Sequence, residues 1–63
     1  MILLPDFTEN NDDAVIMYFA VNGDKKALEK NIDETYYCYS SLKYETRDGK
    51  EYLALTVEGL EEE

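Results

Sequence analysis

The alternation of apolar and polar residues is clearest in the C-terminal half of the chain. From Tyr36 onward the pattern has a period of two, which is typical of a β-strand with one buried face. Asp48-Gly49 interrupts this pattern and is the two-residue signal of a hairpin with a type I′ turn. The pattern therefore predicts two antiparallel strands joined at this dipeptide.

The predicted turn also sets the register of the two strands. It pairs Arg47 with Lys50, Thr46 with Glu51, Glu45 with Tyr52, Tyr44 with Leu53, Lys43 with Ala54 and Leu42 with Leu55. Directly opposed residues share a face of the sheet. The residues predicted to face the core are Leu42, Tyr44, Leu53, Leu55 and Val57. The opposite face is predicted to be wet and to carry Lys43, Glu45, Tyr52, Thr56 and Glu58, together with Tyr39 and Ser41.

The N-terminal half contains one continuous apolar run, from Ala14 to Val21. Its β-branched and aromatic residues favour a strand that is buried on both sides. A buried helix is the alternative, because Asn11 or Asp12 before the run and Gly23 after it are also typical helix boundaries. Residues 6–13 are polar and turn-forming, so a loop is expected there.

Residues 24–31 predict a short helix, with Asp24 as its N-cap and Asn31 at its C-terminal end. Lys25, Lys26 and Lys30 are half of all the basic residues, so this helix is expected to carry a nearly neutral surface. Together the elements predict one α+β domain over residues 1–63, with a small antiparallel sheet of about three strands and one or two short helices. Residues 61–63, three glutamates, are expected to form a mobile tail.

Composition adds a strong charge imbalance. The chain has 15 acidic residues, 6 basic residues and no histidine, which gives a net charge of -9. Such a field attracts basic surfaces and repels nucleic acid and anionic lipid. The expected partner is therefore a basic protein, without direct binding to nucleic acid or membranes. The apolar run from Ala14 to Val21 is far shorter than the roughly 20 residues that a membrane helix needs, which favours a cytoplasmic protein.

The inventory of reactive side chains argues against catalysis. Without histidine, Ser/His/Asp and Cys/His arrangements are excluded, and no glycine-rich phosphate loop is present. Neither residues 10–13 nor residues 48–51 match a calcium loop, so no metal or other cofactor is expected. Cys38 is predicted to be a small buried hydrophobe. The alternative, a reactive thiol, needs a nearby cation, and the closest in sequence is Lys43.

Carboxylates held on a rigid frame can present negative charges at spacings comparable to those of phosphates on a duplex. The candidate binding residues are Asp12 and Asp13 before the first strand, Asp33 and Glu34 before the second, and Glu45, Asp48, Glu51 and Glu58 on the hairpin. Tyr39 and Tyr52 are expected to be partly exposed beside Glu58 and Glu45, respectively, as a second contact patch. The alternative interpretation is an ordinary solvated acidic surface with half-buried tyrosines.

In size, acidity, tyrosine content and α+β pattern, the chain resembles the phage-encoded DNA-mimic inhibitors, such as anti-CRISPR, anti-restriction and uracil-DNA glycosylase inhibitor proteins. This resemblance implies a stoichiometric inhibitor that acts in the cytoplasm of a bacterial host. It would occupy the nucleic-acid site of a defence or repair complex, and the basic DNA channel of a multisubunit CRISPR effector is the first target to consider. An interaction module that uses a tyrosine and aliphatic surface, without mimicry, is the alternative. A homo-oligomer that closes its sheet edges between copies is a third hypothesis.

Overall fold

The structure is a computed structural model that describes residues 3–36 and 38–58. Its elements are β1 (Phe7–Asn11), β2 (Ala14–Ala20), α1 (Lys25–Thr35), β3 (Ser41–Arg47) and β4 (Lys50–Glu58). The strands form one antiparallel sheet in the order β1-β2-β4-β3, and α1 packs on one of its faces. The fold is therefore α+β, as predicted. The described part of the chain has four strands and one helix, so the expected count of about three strands is one too few.

The additional strand lies where a loop was expected. Phe7 pairs with Tyr18 and Asn11 pairs with Ala14, so β1 adds an edge strand beside β2. Phe7 and Glu9 are half-buried while Thr8 is exposed, which is a strand alternation hidden by polar residue types. An edge strand of this kind needs little apolar surface, because backbone pairing with its neighbour holds it in place. The loop prediction holds for Asp6, which precedes β1, and for the turn at Asp12 and Asp13, where the φ of Asp12 is 45°.

β2 confirms the strand interpretation of the apolar run, and the helix alternative is wrong. Tyr18 and Phe19 are each only 1% exposed. As neighbours in a strand they point to opposite faces of the sheet, so β2 is buried on both sides at this position. Phe19 lies in the core under α1, whereas Tyr18 lies on the face that points away from the helix.

α1 begins after Asp24 as predicted, and the Asp24 side chain accepts a hydrogen bond from the backbone N–H of Ala27 at 3.1 Å. The helix does not end at Asn31 but continues to Thr35. Ile32 is completely buried, and its packing holds this extra turn against the sheet. Asp33 and Glu34 therefore lie in the helix and not in a loop before the next strand.

The hairpin of β3 and β4 reproduces every predicted pair, from Arg47 opposite Lys50 to Leu42 opposite Leu55. Asp48 and Gly49 have φ values of 53° and 77°, the two positive angles that a type I′ turn requires. The core consists of Phe19, Ile32, Leu53 and Leu55, with Leu42, Tyr44 and Val57 among the residues packed against it. The predicted core face of the hairpin is confirmed.

Tyr44 connects α1 to β3. Its hydroxyl donates a hydrogen bond to Glu29, and the Lys25 ammonium lies 4.6 Å from the centre of its ring. Burial, reinforced by the hydrogen bond to Glu29, raises the pKa of Tyr44 to about 12. The helix is therefore anchored at a polar contact as well as through the core.

Two predictions fail just before β3, because the alternation does not extend back beyond Ser41. Tyr39 packs against the core, and its hydroxyl donates to Asp33 Oδ1 at 3.1 Å, so it lies on the helix side and not beside Glu58. Cys38 is exposed rather than buried. Both residues belong to the connection between α1 and β3, where no strand periodicity applies. The predicted tail at residues 61–63 lies outside the described residues.

Candidate functional site

The path of the chain from β2 through α1 to β3 determines which acidic side chains lie at the same end of the sheet. Both strands are antiparallel to β4, so they run parallel to each other, and α1 carries the chain back along the sheet between them. The β1–β2 turn and the C-terminal end of β4 lie at the end to which α1 returns, because Ala14 pairs with Glu58. We call this end the acidic end and define it by Asp12, Asp13, Asp33, Glu34 and Glu58.

All the side chains of the acidic end are exposed, and no ion pair in residues 3–36 or 38–58 joins any of them to a lysine or arginine. Every basic residue of the chain lies within residues 25–30 or 43–50. The nearest in sequence is Lys30, which precedes Asp33 and Glu34 on the helix, the weaker order for such a pair. Negative charge at this end is therefore weakly compensated by the protein itself.

The charges of α1 increase this effect. Lys25 and Lys26 lie in the first turn, which has no acid, while Asp33 and Glu34 lie at the other end, where the last turn has no base. This arrangement is the reverse of the one that the helix dipole favours. The partial negative charge of the helix C-terminus adds to the carboxylates around it.

The other acidic candidates lie elsewhere. Glu51 forms an ion pair with Lys25 at 2.9 Å, and Glu45 lies 3.8 Å from both the Lys43 ammonium and Arg47 Nε. Asp48 is exposed in the β3–β4 turn, at the opposite end of the sheet. The structure thus brings together five of the eight predicted acids and separates the other three from them.

The face of the sheet that points away from α1, here called the open face, carries an aromatic cluster. The rings of Phe7 and Tyr18 stack with their centres 4.6 Å apart, and Tyr52 meets them edge-on at 5.2 Å and 6.2 Å. Tyr52 lies opposite Glu45, as predicted. The residues predicted for the wet face surround a buried centre, because Tyr18 and Ala54 are each 1% exposed. Of the predicted residues, Ser41, Lys43 and Glu58 are exposed, and Glu45, Tyr52 and Thr56 are half-buried.

An ion pair crosses the open face from one edge strand to the other. Arg47 on β3 binds Glu9 on β1 through two hydrogen bonds of 2.9 Å and 3.1 Å, and it also donates to the Tyr18 hydroxyl at 2.8 Å. The Arg47 guanidinium lies 4.7 Å from the centre of the Tyr18 ring. The hydrogen bond to Glu9 raises the pKa of Arg47, and the same bond lowers the pKa of the Glu9 carboxyl.

Four members of this face, Phe7, Glu9, Tyr18 and Arg47, are not among the residues that the sequence pattern predicted for it. The available signal was the alternation Phe7-Thr8-Glu9 directly before the turn residues Asp12 and Asp13, which is the start of a hairpin. Burial and the neighbouring Glu45 raise the pKa of Tyr18, so its hydroxyl remains a hydrogen-bond donor across the neutral range.

A cavity of about 470 Å³ lies between residues 3–6 and α1, with both apolar residues such as Leu3 and Leu28 and polar residues such as Asp6, Asn22 and Asn31 in its lining. Within the described residues no group of three or more cysteines, aspartates or glutamates is placed to hold a metal ion. No helix of this part of the chain is long and apolar enough to cross a membrane. Comparisons of the chain with protein-family models, with curated proteins and with solved structures find no match.

Proposed function

We propose that this protein is a stoichiometric inhibitor that places its acidic end in the cationic nucleic-acid-binding site of a bacterial defence complex. The basic DNA channel of a multisubunit CRISPR effector is the first target. The protein acts without catalysis, by occupying arginine and lysine side chains that are already positioned for phosphates.

The concentration at one end of the fold of carboxylates that form no ion pair within the described residues is the observation that supports this proposal. Asp12 and Asp13 are held by a tight turn, Glu58 by its pairing with Ala14, and Glu34 by the last turn of α1. Because these backbones are fixed, the charges lose less entropy on docking than charges on a free chain would. A basic channel would also exclude water from them, which strengthens each contact.

The acids outside the acidic end are expected to contribute less to binding of the target. Glu51 and Glu45 already have cationic partners, and docking would have to exchange one partner for another. Asp48 lies at the other end of seven-residue strands, roughly 20 Å away along the sheet. That distance exceeds the screening length of about 8 Å at physiological salt, so Asp48 acts independently of the acidic end.

The proposal is tested with a purified, guide-loaded multisubunit CRISPR effector and a labelled target duplex in a mobility-shift assay. The protein is added before or after the DNA. We expect it to block DNA binding only when it is added first, because inhibitor and DNA compete for one channel. Asp12→Asn combined with Asp13→Asn is expected to raise the inhibitor concentration needed by at least about tenfold, or about 1.4 kcal/mol.

The matched control is Asp48→Asn combined with Glu45→Gln, which removes the same charge from the other parts of the sheet. It is expected to inhibit like the unchanged protein. Equal losses in both variants would mean that net charge, and not the acidic end, carries binding. Failure to inhibit the effector, a restriction enzyme and a uracil-DNA glycosylase alike would overturn the proposal.

The second candidate function is an interaction module without mimicry, and the position of Tyr52 is the observation that favours it. Tyr52 and Phe7 lie on the open face, which no described element covers, and large aromatic rings are common in protein interfaces. In the same assay, a strong loss with Tyr52→Ala and unchanged activity with the Asp12 and Asp13 variant would favour this function over the first.

A further inference from the structure

The open face is electrically balanced, unlike the rest of the molecule. It carries three acids, Glu9, Glu45 and Glu58, and three bases, Lys43, Arg47 and Lys50. The net charge of -9 therefore resides entirely outside this face. Two copies that approach through their acidic ends bring surfaces of like charge together, and α1, whose three lysines and three acids also balance, carries its bases mainly at one end and its acids mainly at the other. A second copy that approaches through the open face therefore meets no net repulsion from the charges of that face.

The apolar residues of this face lie on its inner strands, and the polar residues lie around them. β2 contributes Ala14, Ile16 and Ala20, and β4 contributes Tyr52. Tyr18 and Ala54 lie on the same face but are already covered by their neighbours, with 1% of each exposed. The edge strands β1 and β3 add the charged and polar side chains, apart from Phe7. An apolar centre with a polar rim is the usual composition of a protein interface.

The charges on β4 are placed symmetrically about the centre of the face. Lys50 lies four residues before Ala54, and Glu58 lies four residues after it. Because the spacing is even, all three side chains point to the same side of the sheet. A two-fold axis that crosses the strands at Ala54 therefore superimposes the position of Glu58 in one copy on that of Lys50 in the other. On β3 the same axis passes near Lys43, so the two copies of Lys43 face each other, each with the Glu45 carboxylate of its own chain 3.8 Å away, and Glu45 lies opposite the hydroxyl of Ser41 in the other copy.

We infer that the open face binds a second copy of this chain, sheet against sheet and with antiparallel strands. In this dimer Glu58 of one protomer pairs with the partner's Lys50, and the reciprocal pair forms at the other end. The aromatic cluster lies in the middle of the interface. The two acidic ends point in opposite directions, so the dimer presents one at each pole. In the dimer Glu58 is compensated by the partner's Lys50, so the free charge of each acidic end is carried by Asp12, Asp13, Asp33 and Glu34.

The size of the face indicates a weak dimer. Four strands of this length cover roughly 20 Å by 25 Å, or about 500 Å² per copy and about 1,000 Å² in total. That area lies at the lower limit for a specific interface. We expect a dissociation constant between about 10 μM and 1 mM at moderate salt.

Sedimentation equilibrium over this concentration range tests the inference. The unchanged protein is expected to shift from monomer to dimer. Lys50→Glu is expected to weaken the dimer by about tenfold, since it replaces two attractive pairs by two repulsive ones. Lys26→Glu makes the same change of charge on the exposed surface of α1 and serves as the control, with little effect expected.

Exchanging the charges of Glu58 and Lys50 tests the proposed ion pair more directly than Lys50→Glu alone. Glu58→Lys alone is expected to weaken the dimer, and Glu58→Lys combined with Lys50→Glu is expected to restore it, because the pairs form again with reversed signs. Circular dichroism spectra of the variants show whether each one is folded. A protein that stays monomeric at about 1 mM, or a combined variant no better than Lys50→Glu, overturns the inference.

Amide shifts measured on dilution locate the interface. Changes at Phe7, Ile16, Tyr52 and Thr56 are expected, with α1 unaffected. Changes confined to the backbone of β1 or β3 would mean that copies pair through their sheet edges instead, and changes on α1 would mean that they meet through the helix. Either outcome overturns the pairing of open faces.

Discussion

Arg47 connects the two edge strands of the sheet through a single side chain. Its planar guanidinium makes two parallel hydrogen bonds to Glu9 and at the same time lies over the Tyr18 ring. A lysine would keep the charge but would lose both the paired hydrogen bonds and the flat contact with the ring. On a face with no second layer of secondary structure in the described residues, this side chain covers an aromatic residue that would otherwise meet water.

We therefore expect Arg47→Lys to unfold at a lower temperature than the unchanged protein, and Arg47→Leu at a lower temperature again or with a less cooperative transition. Thermal unfolding followed by circular dichroism measures both. Lys30→Leu, which removes an exposed charge from α1, is the control and is expected to have a small effect. Equal transition temperatures for Arg47→Lys and the unchanged protein would contradict the role of the paired hydrogen bonds.

The Glu9 carboxylate gives this contact a pH dependence. Its pKa is lowered from the ordinary value of 4.5, first through the hydrogen bond from Arg47, so the contact contributes stability above pH 4.5 and loses it as the pH falls through the lowered pKa. Glu9→Gln is expected to be less stable than the unchanged protein at pH 7. The difference should shrink and vanish in more acidic buffer. Urea unfolding at a series of pH values measures it, and a difference that stays constant would refute the assignment.

At the scale of elements, the β3–β4 turn depends on backbone angles that few residues adopt. Gly49 has a φ of 77°, and a side chain placed there would meet no atom within 4 Å. The cost of a substitution at this position is therefore strain in the backbone and not a steric clash.

Gly49→Ala is expected to lower the free energy of unfolding by about 1 kcal/mol, measured by urea denaturation. Asp48→Asn is the matched control, because asparagine also tolerates the positive φ of 53° at that position. We expect the control to leave stability nearly unchanged. A large loss in the control would indicate that the Asp48 carboxylate, and not the angle, stabilises the turn.

A single substitution in the first turn of α1 is expected to stabilise the protein. Lys26 lies in the first turn of α1, where the helix dipole favours an acid, and Lys30 follows four residues later. Lys26→Glu is expected to raise the free energy of unfolding by about 0.5 kcal/mol through the dipole and the new pair with Lys30. Lys43→Glu, the same change on the sheet, is the control and should give no such gain. A loss of stability in Lys26→Glu would contradict this account of the helix charges.

At the scale of the whole molecule, the net charge of -9 on a body that measures 39 × 27 × 17 Å produces repulsion within the folded state. Salt screens this repulsion over a distance of about 10 Å at 0.1 M. The same salt weakens the attraction between the acidic end and a cationic partner. Stability and binding should therefore respond to salt in opposite directions.

We expect the thermal unfolding temperature to rise between about 0.01 M and 0.15 M sodium chloride, while inhibition of DNA binding weakens over the same interval. Calorimetry and the mobility-shift assay measure the two responses. Guanidinium chloride is unsuitable as a denaturant here because it is itself a salt. An inhibitor whose potency is independent of salt would contradict docking through the acidic end.

The amino-acid sequence alone determined where the helix begins and how the hairpin pairs, because each of these features depends on residues that are close together in the chain. Asp24 caps the helix through a backbone N–H three residues away, and Asp48-Gly49 sets the angles that fix the register of β3 and β4. Alternation then assigned Leu53 and Leu55 to the core, since a strand places every second residue on the same face. The net charge and the absence of histidine also follow from composition alone.

Contacts between distant residues were decided only by the tertiary structure. β1 forms because β2 offers it an edge, and Glu9 meets Arg47 across a separation of 38 residues. The last turn of α1 exists because Ile32 is buried against the sheet, which moves Asp33 and Glu34 onto the helix. Likewise, Asp12 and Glu58 share the acidic end because β2 pairs with β4. No local pattern contains these pairings, since they depend on which strands meet once the core has formed.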